Sequence, residues 1–174
     1  MELNKVKECI LQRMDCQDRF MSEEEGNILK AHMDYDDEAI CIYAIGLLMN
    51  SSLRYKKLFF KGYDELQKEA FSLFDFVMKK DCPLAIYLMA QIKCGIFAKF
   101  PRYPKEGKQL FERYYQLTKD ENTKKNILDC WDEYEKEMKE YFNDMLIYEV
   151  MNDLRNQGFS DFSSHDEAYY EEEK

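Results

Sequence analysis

Residues 68–74 read Lys-Glu-Ala-Phe-Ser-Leu-Phe, and residues 105–111 read Lys-Glu-Gly-Lys-Gln-Leu-Phe. The two segments are 37 residues apart, and both carry a small residue at the third position and a Leu-Phe pair at the end. Residues three and four positions after the small one fall on the same face of an α-helix. We therefore predict two equivalent helices, each bringing its small residue close to a neighbouring helix.

A second pair of matching segments precedes these two helices. Tyr43-x-Ile45-Gly46 is followed 44 residues later by Tyr87-x-Met89-Ala90. A helix–loop–helix unit that returns after about 40 residues is typical of an α-solenoid, in which each unit stacks on the next. The offsets of 44 and 37 make the first connecting loop 7 residues longer than the second. Chance matching of two amphipathic helices is the alternative, and the seven-residue match favours repetition.

The matched segments resemble the Sel1-like repeat family, a relative of the tetratricopeptide repeats. In that family the first helix runs roughly A-x-Y-x-L-G-x-x-Y-x-x-G and the second K-A-x-x-x-[FY]. Segments 43–49 and 85–90 are similar to the first helix, and segments 69–74 and 106–111 to the second. The chain departs from the family in its loops, where only Gly95 is left of the glycine-rich connection. The resemblance implies a scaffold or adaptor that binds other proteins, and it brings no catalytic residues.

Two repeats (37–119) need helical caps to cover their outer faces. Residues 1–36 supply one cap, in which Ser22 and Glu25 have the form of a capping box that starts a helix. Residues 120–158 supply the other as one long helix starting near Thr123, which either folds back over the repeats or projects toward a partner. We expect Trp131 to lie in the core, and we expect residues 159–174 to form an acidic flexible tail after the 1–158 domain. The apolar stripe that predicts the long helix comprises Ile127, Trp131, Tyr134, Met138, Tyr141, Met145 and Tyr148.

Composition indicates the same fold class. Of the 174 residues, 45 % are hydrophobic, whereas only 6 are glycine and 3 are proline. A β-sandwich or barrel needs a turn about every 8–12 residues, and these turn residues are too few for that. The sequence therefore predicts an all-α protein: a short α-solenoid of stacked helix–loop–helix repeats with helical caps at both ends.

The cysteines and histidines predict neither a metal site nor a catalytic site. No Cys-x-x-Cys pair occurs, and His32 and His165 are far in sequence from any cysteine cluster. Residues 1–14 lack the apolar run of a secretory signal, so we expect free thiols in a reducing, cytoplasmic compartment. Phosphate-binding glycine loops and the zinc-protease and serine-hydrolase motifs do not occur. We therefore expect no enzymatic activity and no cofactor.

Charge is distributed unevenly along the chain. The formal net charge is −10, yet residues 39–119 carry 14 basic and 7 acidic side chains. No acid occurs in 39–63 or in 82–105. These stretches contain the two equivalent loops, and Lys93 lies in or beside the second. Because equivalent loops of a solenoid line one edge, we predict a basic and aromatic rim there. The predicted partner-binding residues are Arg54, Tyr55, Lys56, Lys57, Phe60, Lys99, Phe100, Arg102, Tyr103 and Lys105.

Such a rim suits an acidic or phosphorylated segment of another protein. Solvated lysines with no partner, or the chain's own Glu171–Glu173, are the alternatives, and an isoelectric point near 4.8 disfavours nucleic acid. The longest apolar run, 39–49, is too short to span a membrane. We predict a non-catalytic protein–protein interaction module acting as an adaptor, or as an inhibitor or immunity-type partner. The alternative function is an acidic mimic of nucleic acid that blocks a nuclease or DNA-binding protein through Glu133, Glu137, Glu140 and Asp144.

Overall fold

The computed structural model describes residues 2–14, 20–51, 63–95 and 102–156, and the regular structure in these ranges is helical throughout. The predicted all-α class is confirmed. No helix within these ranges is both long enough and apolar enough to cross a membrane. The helices are α1 (Leu3–Met14), α2 (Glu23–Lys30), α3 (Asp37–Asn50), α4 (Tyr63–Met78), α5 (Pro83–Cys94), α6 (Pro104–Thr118), the single turn α7 (Glu121–Thr123) and α8 (Trp131–Asn156).

The helix α3 forms the centre of the core. Every residue from Ala39 to Met49 is buried, and no charged residue follows Glu38 in this helix. A helix that is apolar on all sides needs neighbours on all sides, and α1, α2, α4 and α5 supply them. The apolar composition of this helix therefore explains its central position.

Local polar contacts set where α2 and α3 begin. Ser22 and Glu25 form the predicted capping box: the Glu25 N–H donates to Ser22 Oγ at 3.3 Å, and the Ser22 N–H donates to the Glu25 carboxylate at 2.8 Å. Asp36 caps α3 by accepting two backbone N–H groups of its first turn. Lys7 Nζ on α1 donates to the same Asp36 carboxylate at 2.6 Å. The start of α3 is thereby joined to α1.

Four of the helices form two hairpins, with α3 packed on α4 and α5 packed on α6. Phe74 of α4 and Phe111 of α6, which are equivalent in the predicted repeat, are both fully buried. A Cβ atom on Gly107 of α6 would lie 2.5 Å from Cys94 Sγ and 3.2 Å from the Ala90 carbonyl oxygen. The close helix approach predicted from the small residues is confirmed at this crossing.

A tight turn joins the two hairpins. The helix α4 ends at Met78, Asp81 adopts the left-handed backbone region with φ of 57°, and Pro83 starts α5. Proline suits this position because the first N–H groups of a helix have no intrahelical partner. The segment Asp81-Cys82-Pro83 therefore separates α4 from α5.

The prediction of one long helix beginning near Thr123 is wrong. Asp120, rather than Thr123, caps the single turn α7; a π-helical segment follows at Lys124–Leu128, and α8 begins only at Trp131. Trp131 is 7 % exposed, and its ring centroid lies 6.4 Å from that of Phe111 in an edge-on contact. The helix is interrupted just before Trp131, whose side chain packs in the core. The buried position predicted for Trp131 is confirmed.

The chain divides into two compact units, Met1–Asp132 and Glu133–Lys174. The first unit contains α1 to α7 and the buried Trp131, and the second contains most of α8. The predicted helix end near Gly158 and the predicted tail 159–174 lie outside the described residues.

Candidate binding surface

The structure describes the predicted rim only where α6 begins. Arg102, Tyr103 and Lys105 lie there, and we call these three residues the α6 surface. The other predicted partner-binding residues lie outside the described part of the chain: Arg54, Tyr55, Lys56, Lys57, Phe60, Lys99 and Phe100.

Tyr103 is held against α5 by two contacts with Lys93. Its N–H donates to the Lys93 carbonyl oxygen at 2.8 Å, and Lys93 Nζ lies 4.7 Å from the centroid of its ring. A cation above an aromatic face is attracted by the ring quadrupole, an interaction of about 0.5–1 kcal/mol at exposed sites. Tyr103 is nevertheless 46 % exposed. The α6 surface therefore presents a half-exposed aromatic side chain whose ring contacts Lys93.

Lys93 forms an ion pair with Glu106, an acid that lies just outside the acid-free stretch 82–105. Its Nζ lies 2.8 Å from a carboxylate oxygen of Glu106. Glu106 is the first acid after the acid-free stretch 82–105, and the first turn of α6 brings it back to the end of α5. The stretch 82–105 contains no acid, yet Lys93 has an acidic neighbour in the folded chain. Sequence reasoning missed this pair because it counted neighbours along the chain, although helical spacing decides which side chains meet.

Arg102 and Lys105 lie on either side of Tyr103 in the sequence, and both are exposed. Partial burial lowers the pKa of the Arg102 guanidinium from its ordinary value, but an arginine still carries its charge at neutral pH. Lys105 is in the first turn of α6, where the aligned peptide dipoles are positive. A bound carboxylate or phosphate would offset this concentration of positive charge.

A second charged surface follows one side of α8. Glu133, Glu137, Glu140 and Asp144 are all exposed, and their spacing of four, three and four residues places them on one helical face. Lys136 Nζ approaches Glu140 to 3.7 Å in a pair whose side chains are both exposed. Such an exposed ion pair contributes little to stability, and the helical face remains acidic.

An open groove of about 890 Å³ is lined by residues of α1 and α2 and by the turn after α2. Three of its lining residues are acidic, namely Glu2, Glu23 and Glu24, and His32 also lines it. His32 Nδ1 lies 2.7 Å from the Ile28 carbonyl oxygen, so this ring nitrogen already has a hydrogen-bond partner in the last turn of α2. Among the residues that the structure describes, no three His, Cys, Asp or Glu side chains are grouped so that they could hold a metal ion.

No protein-family model matches this chain, and neither a curated protein nor a solved structure is significantly similar to it. The likeness to Sel1-like repeats therefore depends on the residues quoted above.

Proposed function

We propose that this chain is a non-catalytic protein–protein interaction module, which binds an acidic or phosphorylated segment of another protein through the α6 surface. It would serve as an adaptor, or as an inhibitor or immunity-type partner. The observation that supports this best is the half-exposed ring of Tyr103, which contacts Lys93 and has two exposed cations, Arg102 and Lys105, close to it in the sequence.

An aromatic side chain that is ordered before binding loses little conformational entropy when a partner covers it. Tyrosine and arginine are also enriched among the residues that carry most of the binding energy at protein interfaces. The planar guanidinium of Arg102 can donate two parallel hydrogen bonds to a carboxylate or phosphate. Lys105 adds attraction at longer range, which raises the rate of encounter with an acidic segment.

The two hairpins support the scaffold part of this proposal. In stacked repeats, equivalent positions are buried to a similar depth, and Phe74 and Phe111 are both fully buried. We propose that α3–α4 and α5–α6 are two Sel1-like repeats of a short α-solenoid. In that arrangement the predicted rim residues of the first loop, including Lys56, would extend the α6 surface.

Binding can be measured by fluorescence anisotropy with three labelled decapeptides: polyglutamate, a phosphoserine peptide and a neutral glutamine peptide. We expect the full chain to bind one of the two anionic peptides and not the neutral one. Affinity should fall steeply between about 50 and 200 mM salt, because the Debye length shortens over this range. Failure of both anionic peptides to bind would overturn the proposal.

A charge-reversal pair locates the surface. Arg102→Glu with Lys105→Glu should weaken binding at least about tenfold, because it replaces attraction by repulsion. Lys68→Glu with Lys79→Glu is the control: it changes the net charge equally, at exposed Lys68 of α4 and at exposed Lys79 in the turn after that helix. Equal losses in the two double variants would show a general charge effect and would rule out the α6 surface.

The exposed acidic face of α8 supports a second candidate, an acidic mimic of nucleic acid. Its four carboxylates follow the helix axis with rises of about 4.5–6 Å between neighbours, at 1.5 Å per residue. A mimic should inhibit a non-specific nuclease acting on plasmid DNA. The variant with Glu133→Gln, Glu137→Gln, Glu140→Gln and Asp144→Asn should lose that inhibition, whereas the α6-surface variant should keep it. Absence of inhibition by the wild-type chain would eliminate this candidate.

A further inference from the structure

Two buried cysteines from different hairpins meet in the core. The Sγ atoms of Cys41 on α3 and Cys82 at the start of α5 are 3.6 Å apart. Both are reduced, and they are 0 % and 7 % exposed, respectively. A disulfide bond has a length of about 2.05 Å, so the sulfur atoms need to approach by only about 1.5 Å to form one.

The local structure explains why these two thiols face each other. Cys41 lies in the second turn of α3, and its thiol also contacts the Asp37 carbonyl oxygen at 3.1 Å. Cys82 is the N-cap residue of α5, positioned by the tight turn between the hairpins. Lys80 from that turn donates to the Asp37 carboxylate at 2.7 Å, which fastens the turn to the start of α3. Three contacts therefore converge where the two hairpins cross.

The two sulfur atoms have different acidities. The hydrogen bond to Cys82, together with burial, raises the pKa of Cys41, so this thiol stays protonated. The hydrogen bond from Cys41 lowers the pKa of Cys82 to about 6; burial opposes this shift, and the backbone amides of Ala85 and Leu84 at the start of α5 reinforce it. Cys82 is therefore the more acidic thiol of the pair and forms a thiolate more readily, and the thiolate is the nucleophilic form of cysteine.

We propose that Cys41 and Cys82 are a redox-active pair that closes to an intramolecular disulfide when the protein meets hydrogen peroxide. In the first step the Cys82 sulfur attacks one peroxide oxygen, the O–O bond breaks, and water leaves after protonation of the hydroxide. In the second step the Cys41 sulfur attacks the sulfenic sulfur of Cys82 and displaces a second water. Two thiols lose two electrons and two protons, and one peroxide becomes two water molecules.

A small oxidant suits this site because Cys82 is nearly buried. Hydrogen peroxide is close to water in size, whereas a glutathione disulfide would need the core to open. The new bond would link α3 of the first hairpin to α5 of the second, and it would close a long loop of chain that includes all of α4. Because a disulfide that closes a long loop restricts the unfolded chain, the oxidised protein should be more stable than the reduced one.

Peptide mapping of the full-length chain tests the pair directly. The reduced protein is treated with hydrogen peroxide, blocked with N-ethylmaleimide and digested with trypsin without a reductant. Cys41 falls in tryptic peptide 31–54 and Cys82 in peptide 81–93. We expect these two peptides to appear linked, about 2 Da lighter than their sum. If the peptides stay separate while the exposed Cys130 becomes oxidised, the proposal is overturned.

Three variants refine the test. Cys41→Ser should abolish the linked peptides and leave a Cys82 sulfenic acid that dimedone traps, whereas Cys130→Ser should preserve the link. Oxidation should raise Tm by about 5 °C or more in the wild type and in Cys130→Ser, and not in Cys41→Ser or Cys82→Ser. If N-ethylmaleimide still blocks Cys82 completely in peroxide-treated Cys41→Ser, Cys82 has not reacted with peroxide and the first step of the proposal is contradicted. If Cys41→Ser does not fold, the wild-type peptide map decides the question alone.

Discussion

Among single residues, Glu25 shows how a buried charge is held in this core. It is 5 % exposed, and the guanidinium of Arg13 on α1 donates to both of its carboxylate oxygens. Burial by itself would raise the pKa of Glu25, but the hydrogen bonds from Arg13 and Ser22 outweigh it and hold the pKa below its ordinary value. The same carboxylate completes the capping box of α2. One side chain therefore both starts a helix and joins two helices.

Neutralising this carboxylate should weaken the fold and change its pH dependence. We expect Glu25→Gln to lower the free energy of unfolding by about 1–3 kcal/mol at pH 7, because Arg13 loses its counter-charge. Since the folded pKa is lowered, the wild-type contribution is complete above the unfolded pKa of about 4.3 and is lost as pH falls through the folded pKa. Urea unfolding should thus show a smaller difference between variant and wild type near pH 3 than at pH 7.

The exposed neighbour Glu24 provides the control. Glu24→Gln should leave stability nearly unchanged at both pH values, because exposed charges contribute little. A difference between Glu25→Gln and wild type that is equally large near pH 3 and at pH 7 would mean that the charge of Glu25 does not matter.

Two buried glycines in helices should respond in opposite ways to alanine. Alanine favours a helix over glycine by up to about 1 kcal/mol. At Gly107 the new Cβ would lie 2.5 Å from Cys94 Sγ and close to backbone, so we expect a net loss of about 1 kcal/mol or more. At Gly26 the nearest atom, Met21 Cε, would be 3.5 Å away, which is ordinary contact, so we expect a net gain. Thermal unfolding of both variants measures this, and equal shifts would refute the close crossing at Gly107.

At the scale of helices, the two hairpins bury matching aromatic residues. Phe74 and Phe111 are both fully buried, whereas the preceding Leu73 and Leu110 are both half-buried. The Leu-Phe pair is therefore buried to the same extent in α4 and in α6. Phe111 also makes edge-on ring contacts with Tyr87 and Trp131, so it links its hairpin to the segment that follows.

We expect Phe74→Ala and Phe111→Ala each to lower the free energy of unfolding by about 3–5 kcal/mol, because both leave a cavity in the core. Leu73→Ala and Leu110→Ala should each cost less, about 1–2 kcal/mol, because part of each side chain already faces water. Chemical denaturation followed by circular dichroism measures all four. A large loss at one phenylalanine with almost none at the other would show that the two hairpins are not equivalent.

At the scale of the whole molecule, the first compact unit ends at Asp132, just after Trp131. A chain cut after residue 132 keeps the contact between Trp131 and Phe111. We expect this truncated chain to fold cooperatively and to retain the blue-shifted fluorescence of a buried tryptophan. A chain cut after residue 121 loses Trp131 and Thr123, both of which are buried, and uncovers Phe111. We expect it to lose about 3–5 kcal/mol or to aggregate.

The comparison of the two truncations is itself the control, because the shorter chain lacks only 11 further residues, 122–132. If both fold with equal stability, the segment that carries Trp131 is not a cap for the second hairpin. If neither folds, residues 133–174 are required for folding, and the boundary after Asp132 does not separate independent units.

The sequence by itself determined the helices and most of their ends. The capping box at Ser22, the break at Pro83 and the apolar run of α3 each act within a few residues, so they can be read without knowledge of the fold. The acid-free stretches likewise marked where basic residues accumulate. Two of these, Arg102 and Lys105, lie at the start of α6.

Only the tertiary structure decided which distant residues meet. The apolar stripe runs from Ile127 to Trp131 without a break in its spacing, yet α8 starts only at Trp131. The Trp131 ring makes an edge-on contact with Phe111. Glu106 neutralises Lys93, and Cys41 faces Cys82 from the other hairpin. Periodicity records which residues share a face of one helix, but it contains no information on how two helices cross. The crossing depends on packing among side chains far apart in sequence, here on the space left by Gly107 and filled by Cys94.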